Sequence, residues 1–270
     1  MTAKQLVPIL GLCLCIQQRT IAQTWEFIDS SIVTDASQIT VDPLGNIYTV
    51  SAKQKLQKTN NIGQITAEFQ DIRHGRIGTI DASNAMEVLV FYPDLQTLLL
   101  LDRNLIPISS VYLPNLGFSF VQAVCRSNDK GFWLFDGTTQ QLKNCDPQGT
   151  INYLSDPMPS LIERTLHPTQ ITQNGTYIAI LDSTQGIFIF DTFANIVTSS
   201  TCQTPYILGI NNTELYALAS TDSLHRISLA DASFSKIPLP IPAKMQQCVL
   251  SADMLYILQK DKVLRYRRQY

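Results

Sequence analysis

The chain has 270 residues, of which 45% are hydrophobic and 16% are charged, a composition typical of a globular protein and not of a disordered tail or a coiled coil. Lys and Arg total 20 against 22 Asp and Glu, so the net charge is -2 and there is no basic surplus to neutralise a phosphate backbone. These numbers exclude nucleic acid as the expected partner.

The first 22 residues have the pattern of a secretory signal. Lys4 precedes an apolar run over residues 6–16, and the small residue Ala22 then offers a cleavage site. The run is shorter than the roughly 20 residues that cross a bilayer, and every later apolar stretch is shorter still. We therefore expect a signal peptide over 1–22 and one mature domain over 23–270, periplasmic or secreted, without a transmembrane span.

The six cysteines fall into two groups. Cys13 and Cys15 lie in the apolar run, each after a leucine, whereas a lipoprotein signal has a small residue before its acylated cysteine, so the sequence favours an unlipidated product. The other four are Cys125, Cys145, Cys202 and Cys248. Their spacing matches no metal site, and it leaves open whether they are small buried hydrophobic residues or include a disulfide.

A weak repeat of about 41 residues follows the signal. Its first copy begins with two strands on either side of the turn Pro43–Asn46, in which apolar and polar residues alternate, and two more short strands follow over 55–59 and 65–69. The second strands of the six copies are centred near Tyr48, Leu89, Trp133, Tyr177, Tyr216 and Tyr256. Asn, Asp and Gly recur at the hairpins between strands. Four strands in each repeat of this length indicate the blades of a propeller.

The two ends of the chain complete each other. The sixth repeat stops after three strands, and the segment Trp25–Asp29 is an extra strand without a repeat of its own. We therefore predict an all-β, six-bladed β-propeller closed by an N-terminal strand that completes the last blade. Five blades are the alternative, if the weakest repeats merge. Apolar runs such as 88–92 and 187–190 are predicted to be strands buried between neighbouring blades.

Residues that carry chemistry are sparse. His74, His167 and His225 lie far in sequence from any Ser or Cys in a nucleophile motif, and no metal-binding or phosphate-binding motif occurs. Asp42 and Asp81 end two predicted inner strands, which is weak support for the axial metal of lactonase-like propellers. We predict no metal site and no cofactor. The sequence favours a non-catalytic protein over the alternative, a metal-dependent hydrolase or lyase of the propeller type.

The connections between blades are predicted to share one face with the hairpins between second and third strands, and such loops commonly carry binding sites. The candidate binding residues on this face are Arg73, His74, Arg76, Phe118 and Phe120. The basic residues are predicted to contact an anion or an acidic partner, or else to form a solvated rim. The two phenylalanines are predicted to be exposed anchors of a protein interface, or else caps on the blade ends.

Two segments resemble known propellers. Ile39–Tyr48 resembles the strand-turn-strand of bacterial six-bladed propellers of the NHL-like and quinoprotein-like kind. Ile80–Gln96, followed by Leu100–Asp102, is similar to a family of short secreted propellers of the Bacteroidota that includes the plug of the type IX secretion translocon. This resemblance implies a periplasmic protein, without enzyme activity, that blocks the periplasmic mouth of an outer-membrane channel. Its partner would be an outer-membrane or periplasmic protein.

Overall fold

A computed structural model describes residues 24–220, 222–239 and 245–269 of the chain. Within these ranges the strands form six antiparallel sheets of four strands each. This confirms the predicted all-β, six-bladed propeller and excludes the five-bladed alternative. The predicted signal, residues 1–22, lies outside the described residues. No helix in the described ranges is long and apolar enough to cross a membrane.

The strands of each blade follow one another in the sequence, except in the last blade. Blade 1 contains β2 (Ala36–Val41), β3 (Ile47–Ser51), β4 (Lys55–Thr59) and β5 (Ile65–Gln70); blade 2 contains β6 (Thr79–Asn84), β7 (Glu87–Tyr92), β8 (Thr97–Asp102) and β9 (Pro107–Tyr112). Blade 3 contains β10 (Val121–Arg126), β11 (Phe132–Asp136), β12 (Gln141–Cys145) and β13 (Ile151–Leu154); blade 4 contains β14 (Gln170–Asn174), β15 (Tyr177–Asp182), β16 (Gly186–Asp191) and β17 (Ile196–Ser200). Blade 5 contains β18 (Ile207–Ile210), β19 (Glu214–Ser220), β20 (Ser223–Ser228) and β21 (Phe234–Pro238); blade 6 contains β22 (Gln247–Ser251), β23 (Met254–Gln259), β24 (Lys262–Gln269) and β1 (Thr24–Ile32). Short helical segments join some blades: 3-10 turns at Ile72–His74 and Leu113–Leu116, and α1 (Met158–Ile162).

The core is divided among the interfaces between blades. The six hydrophobic clusters of the described residues each join two neighbouring blades, including blade 6 with blade 1. Side chains alternate along a strand, so Val88, Val90 and Tyr92 of β7 pack against blade 1. Leu89 and Phe91 of the same strand pack against blade 3. A strand buried on both faces explains why the sequence reads as continuous apolar runs.

An acidic or amide side chain organises many of the hairpins. At the end of β8, Oδ1 of Asp102 accepts hydrogen bonds from the backbone N–H groups of Asn104 and Ile106, both at 2.8 Å. Asn60, Asp146 and Asp191 make the same pair of bonds after the third strands of their own blades. The residue three positions on has a positive φ, which is 60° at Leu105 and 89° at Gly149. These turns are the physical basis of the repeated Asn, Asp and Gly in the sequence.

Glutamine side chains tie consecutive blades together. The amide of Gln140 accepts from the N–H of Leu166 at 2.7 Å and donates to its carbonyl at 3.1 Å. Gln96 makes the same two bonds to Val121, which lies in the next blade. An amide offers one donor and one acceptor side by side, so it can replace the strand partner that the backbone lacks at a blade edge.

The ring closes through the first and last strands. β1 pairs antiparallel with β24 along its length, with Phe27 opposite Tyr266 and Ile32 opposite Lys262. The buried guanidinium of Arg265 is hydrogen-bonded to both carboxylate oxygens of Asp29. It also donates to the Asn61 carbonyl of blade 1 at 2.6 Å. The predicted closure by an N-terminal strand is therefore confirmed.

β1 and β24 also bind the neighbouring blade 5. Nε1 of Trp25 donates to the Pro238 carbonyl at 3.1 Å, and Nη2 of Arg268 donates to the Tyr216 hydroxyl at 2.7 Å. Blade 6, which is built from both ends of the chain, is thus held to blades on both sides. The four described cysteines, 125, 145, 202 and 248, are buried free thiols.

We predict that Arg265→Ala lowers the free energy of unfolding by about 2 kcal/mol, because hydrogen bonds to charged groups each contribute about 1.5 to 3 kcal/mol and some of the loss is recovered by water at the half-exposed Asp29. The matched control is Arg267→Ala on the same strand, because the Arg267 side chain is 54% exposed and its Nε lies 4.0 Å from Oδ2 of Asp253. This control should change stability by less than about 0.5 kcal/mol. Urea unfolding of the three proteins measures both effects. Equal losses in the two variants would contradict a closing role for Arg265.

Candidate functional site

The chain alternates direction from strand to strand, so the loops collect on two opposite faces of the ring. We define the upper face as the face formed by the connections between blades and by the hairpins between the second and third strands. The lower face carries the other hairpins, such as residues 42–46 of blade 1. The predicted candidates Arg73, His74, Arg76 and Phe120 belong to the upper face.

Both candidate arginines form ion pairs within the chain. Arg73 donates two hydrogen bonds to Asp71, Nε to Oδ1 at 3.0 Å and Nη2 to Oδ2 at 2.7 Å. These bonds, together with one from the Arg73 N–H, lower the pKa of Asp71 to about 2. Nη2 of Arg76 lies 3.7 Å from Oδ1 of Asp94, and both side chains are largely exposed. An acidic partner would therefore compete with carboxylates that are already in place.

The side chain of His74 is less exposed than those of Arg73 and Arg76. Its Nδ1 is 3.4 Å from Oδ2 of Asp71, in a geometry that completes no hydrogen bond, and its ring packs on Tyr92 at a centroid distance of 5.1 Å. Burial, with a contribution from the Asp71 charge, raises the pKa of Tyr92 to about 12. The histidine thus helps to fix the connection between blades 1 and 2.

The two candidate phenylalanines differ. Phe118 is only 3% exposed, in the core between blades 2 and 3, where Nζ of Lys143 lies 5.4 Å from its ring centroid. The expectation that Phe118 is an exposed anchor is therefore wrong, because its side chain turns inward between the blades. Phe120 is 53% exposed and lies on the upper face, against Gly137.

Further apolar side chains stand exposed on the upper face, and sequence reasoning missed them. They are Ile72, Leu95 and Tyr206. Leu95 and Phe120 lie on two loops that are joined by hydrogen bonds, because Gln96, which follows Leu95, is bonded to Val121, which follows Phe120. Leu95 also follows Asp94, the partner of Arg76. The upper face between blades 1 and 3 thus combines exposed apolar side chains with ion pairs around them.

A channel lies inside the ring. The first strands of consecutive blades contact one another around the axis, and they enclose a cavity of about 660 Å³. Its walls come from residues of β2, β6, β14, β18 and β22, with Asn128 after β10. Tyr206 of the upper face is at the rim of this channel. The channel offers a second surface for a ligand, continuous with the upper face.

The two aspartates that the sequence placed at inner strands have different surroundings. Asp42 is fully buried, where it accepts hydrogen bonds from Leu44, Asn46 and Tyr48. Its role is to fix the first hairpin of blade 1. Asp81 instead lines the channel. The two carboxylates therefore do not form a common site.

One pair of chemically active groups escaped the sequence analysis. Sγ of Cys202 lies 2.6 Å from Nδ1 of His225, although the two residues are 23 positions apart. Burial raises the pKa of Cys202, and burial with the nearby Lys236 lowers the pKa of His225. Both shifts favour a neutral thiol beside a neutral imidazole, and a neutral thiol is a weaker nucleophile than a thiolate. No cluster of three or more metal-binding side chains occurs among the residues that the structure describes.

The fold is that of a β-propeller, and solved structures of this class are similar to it. Virginiamycin B lyase from Staphylococcus aureus has a TM-score of 0.62 at 12% identity, over 90% of this chain and 99% of that one. The WD40 domain of Neurospora crassa Pan2 has a TM-score of 0.61 at 9% identity, over 90% and 95%. No protein-family model and no curated protein matches the chain. At these identities the likeness shows the propeller fold alone.

We predict that Arg73→Ala raises the pKa of Asp71 from about 2 toward its usual 3.8, because the guanidinium supplies the largest contribution that favours the ionised carboxylate. Arg76→Ala is the control, since that arginine pairs with Asp94 instead. A pH titration of the Asp71 carboxyl carbon by NMR gives both values. If the pKa of Asp71 is unchanged in Arg73→Ala, the arginine is free in solution and available to an anionic partner.

Proposed function

We propose that this propeller is a non-catalytic protein-binding module that holds its partner on the upper face. The observation that carries the proposal is the exposure of Leu95 and Phe120, 48% and 53%, on two hydrogen-bonded loops of that face. Protein interfaces commonly have aromatic and aliphatic anchors at their centre and polar groups at the rim. The ion pairs of Arg73 and Arg76 supply such a rim.

The compartment and the partner are the finer part of the proposal. The apolar leader supports export, and the similarity of Ile80–Gln96 and Leu100–Asp102 to short secreted propellers of the Bacteroidota supports a place in type IX secretion. On this proposal the chain is periplasmic and closes the periplasmic mouth of the outer-membrane translocon. A closed ring of six blades with exposed apolar side chains on one face suits a protein that covers the mouth of a channel.

The alternative is a metal-dependent hydrolase or lyase of the propeller type. The likeness to virginiamycin B lyase extends to the fold, and at 12% identity it brings no catalytic residue to this chain. Elemental analysis of the protein purified without chelator separates the two functions. About one divalent metal ion per chain, retained through gel filtration, would favour the enzyme.

We predict that affinity purification of the mature chain from detergent-solubilised envelope recovers the outer-membrane translocon at near-equal stoichiometry. Leu95→Asp combined with Phe120→Asp should lower this recovery at least about tenfold, because it places two charges in the centre of the interface. The matched control is Leu44→Asp combined with Ile62→Asp, which changes two residues of the lower face that are 69% and 71% exposed.

All four substitutions alter exposed side chains, so thermal melting should be unchanged in both double variants. Recovery of no outer-membrane channel with the unaltered chain would contradict the proposed partner. An equal loss with both double variants would contradict the upper face as the binding surface.

A further inference from the structure

The axial channel has an unusual charge distribution. Among the described residues that line the channel, Asp81 is the only Asp, Glu, Lys, Arg or His. The others are Thr, Ser, Asn, Gln or largely apolar residues. A single carboxylate in a neutral channel of about 660 Å³ sets the sign of the potential there, and the low-dielectric walls strengthen its field.

The charge of Asp81 is not neutralised by a side chain of the described residues. Its Oδ1 accepts from the Ser83 N–H at 2.9 Å and its Oδ2 from the Arg126 N–H at 2.8 Å. These two backbone donors fix the carboxylate without cancelling its charge. The guanidinium of Arg126 lies within 2.8 Å of Glu87 and forms its ion pair there.

Other hydrogen-bond acceptors line the same channel as the carboxylate. Each innermost strand pairs on one side only, so part of its backbone faces the channel, and the side chains of Thr40, Thr79 and Thr172 add hydroxyl groups. A channel lined by carbonyl and hydroxyl oxygens and one carboxylate suits a group with several N–H donors and a positive charge. An arginine or lysine side chain has both properties.

The channel can be reached from the proposed binding surface. Asp81 is the third residue of β6, so it lies about 7 Å below the upper end of that strand at the usual rise per residue. The channel rim at this end includes Tyr206, one of the exposed residues of the upper face. A partner seated on the upper face can therefore extend a long side chain to this depth.

We propose that the channel receives a basic side chain, an arginine or lysine of the bound protein, which pairs with Asp81. This inference rests on the proposed protein-binding function and names the chemistry of the partner's central contact. The exposed apolar residues of the upper face make apolar contacts with the partner, and the Asp81 carboxylate makes binding specific for a partner with a basic side chain.

The test uses two peptides and the mature chain. The probe is acetyl-Gly-Gly-Arg-Gly-Gly-amide, and its neutral counterpart carries citrulline in place of arginine. NMR titration should give at least about tenfold tighter binding of the arginine peptide, with shifts at Thr40, Asp81 and Thr172. Asp81→Asn should abolish the preference, whereas Asp94→Asn, which alters an exposed carboxylate of the upper face, should keep it.

A second variant keeps the test valid if Asp81→Asn fails to fold. Thr79→Lys adds an ammonium group two residues before Asp81 on the same face of β6, so it should also remove the preference while both hydrogen bonds of Asp81 remain. Equal affinity for the two peptides would overturn the inference, and so would a preference that survives in both variants. If the translocon is captured without any arginine preference, the channel inference fails alone. If the preference holds without capture, the proposed partner fails instead.

Discussion

The pairing of β1 with β24 is the constraint on which the rest of the molecule depends. Five blades are made from consecutive strands, so nothing in them requires the first blade to contact the last. Blade 6 does require this contact. Its outer strand comes from the N-terminal end of the described chain, and its three inner strands come from the C-terminal end. The buried Arg265 adds an ion pair with the half-exposed Asp29 and a hydrogen bond to blade 1. A closed ring has no exposed face between its first and last blades, so the sixth hydrophobic cluster can form.

Closure also creates the two surfaces to which we assign binding. A channel of fixed width exists only if the innermost strands are held in a ring, and the upper face is continuous only if neighbouring connections are held side by side. The glutamine bonds of Gln96 and Gln140 serve this purpose at the level of single loops. The loops that carry Leu95 and Phe120 are held together because such bonds join the residues that follow them. The anchors of the upper face and the carboxylate of the channel are thus positioned by the scaffold and not by flexible loops.

Much of the fold could be predicted from the sequence, because each blade repeats the same local physics. The turn residues, the aromatic second strands and the unmatched strand near Trp25 all led to six blades. The site was harder to predict, because it depends on which way single side chains turn. Phe118 and Phe120 are two residues apart and chemically identical, yet one packs against Lys143 in the core and the other is exposed. The sequence placed Asp42 and Asp81 alike at the ends of inner strands, but Asp42 follows β2 and is buried, whereas Asp81 lies within β6 and lines the channel. Cys202 and His225 meet through the interface of blades 4 and 5, which no local pattern encodes.

Hydrogen exchange of the β24 amides in the intact mature chain tests the closed ring most directly. In a closed ring β24 is an internal strand with partners on both sides, so its amides should be protected as strongly as those of the third strands β8 and β16, and β1 should be the less protected edge. If the amides of Val263–Tyr266 instead exchange as fast as those of the outermost strands β9 and β17, then β24 is a free edge and the ring is open. The channel and the continuous upper face would then both have to be given up.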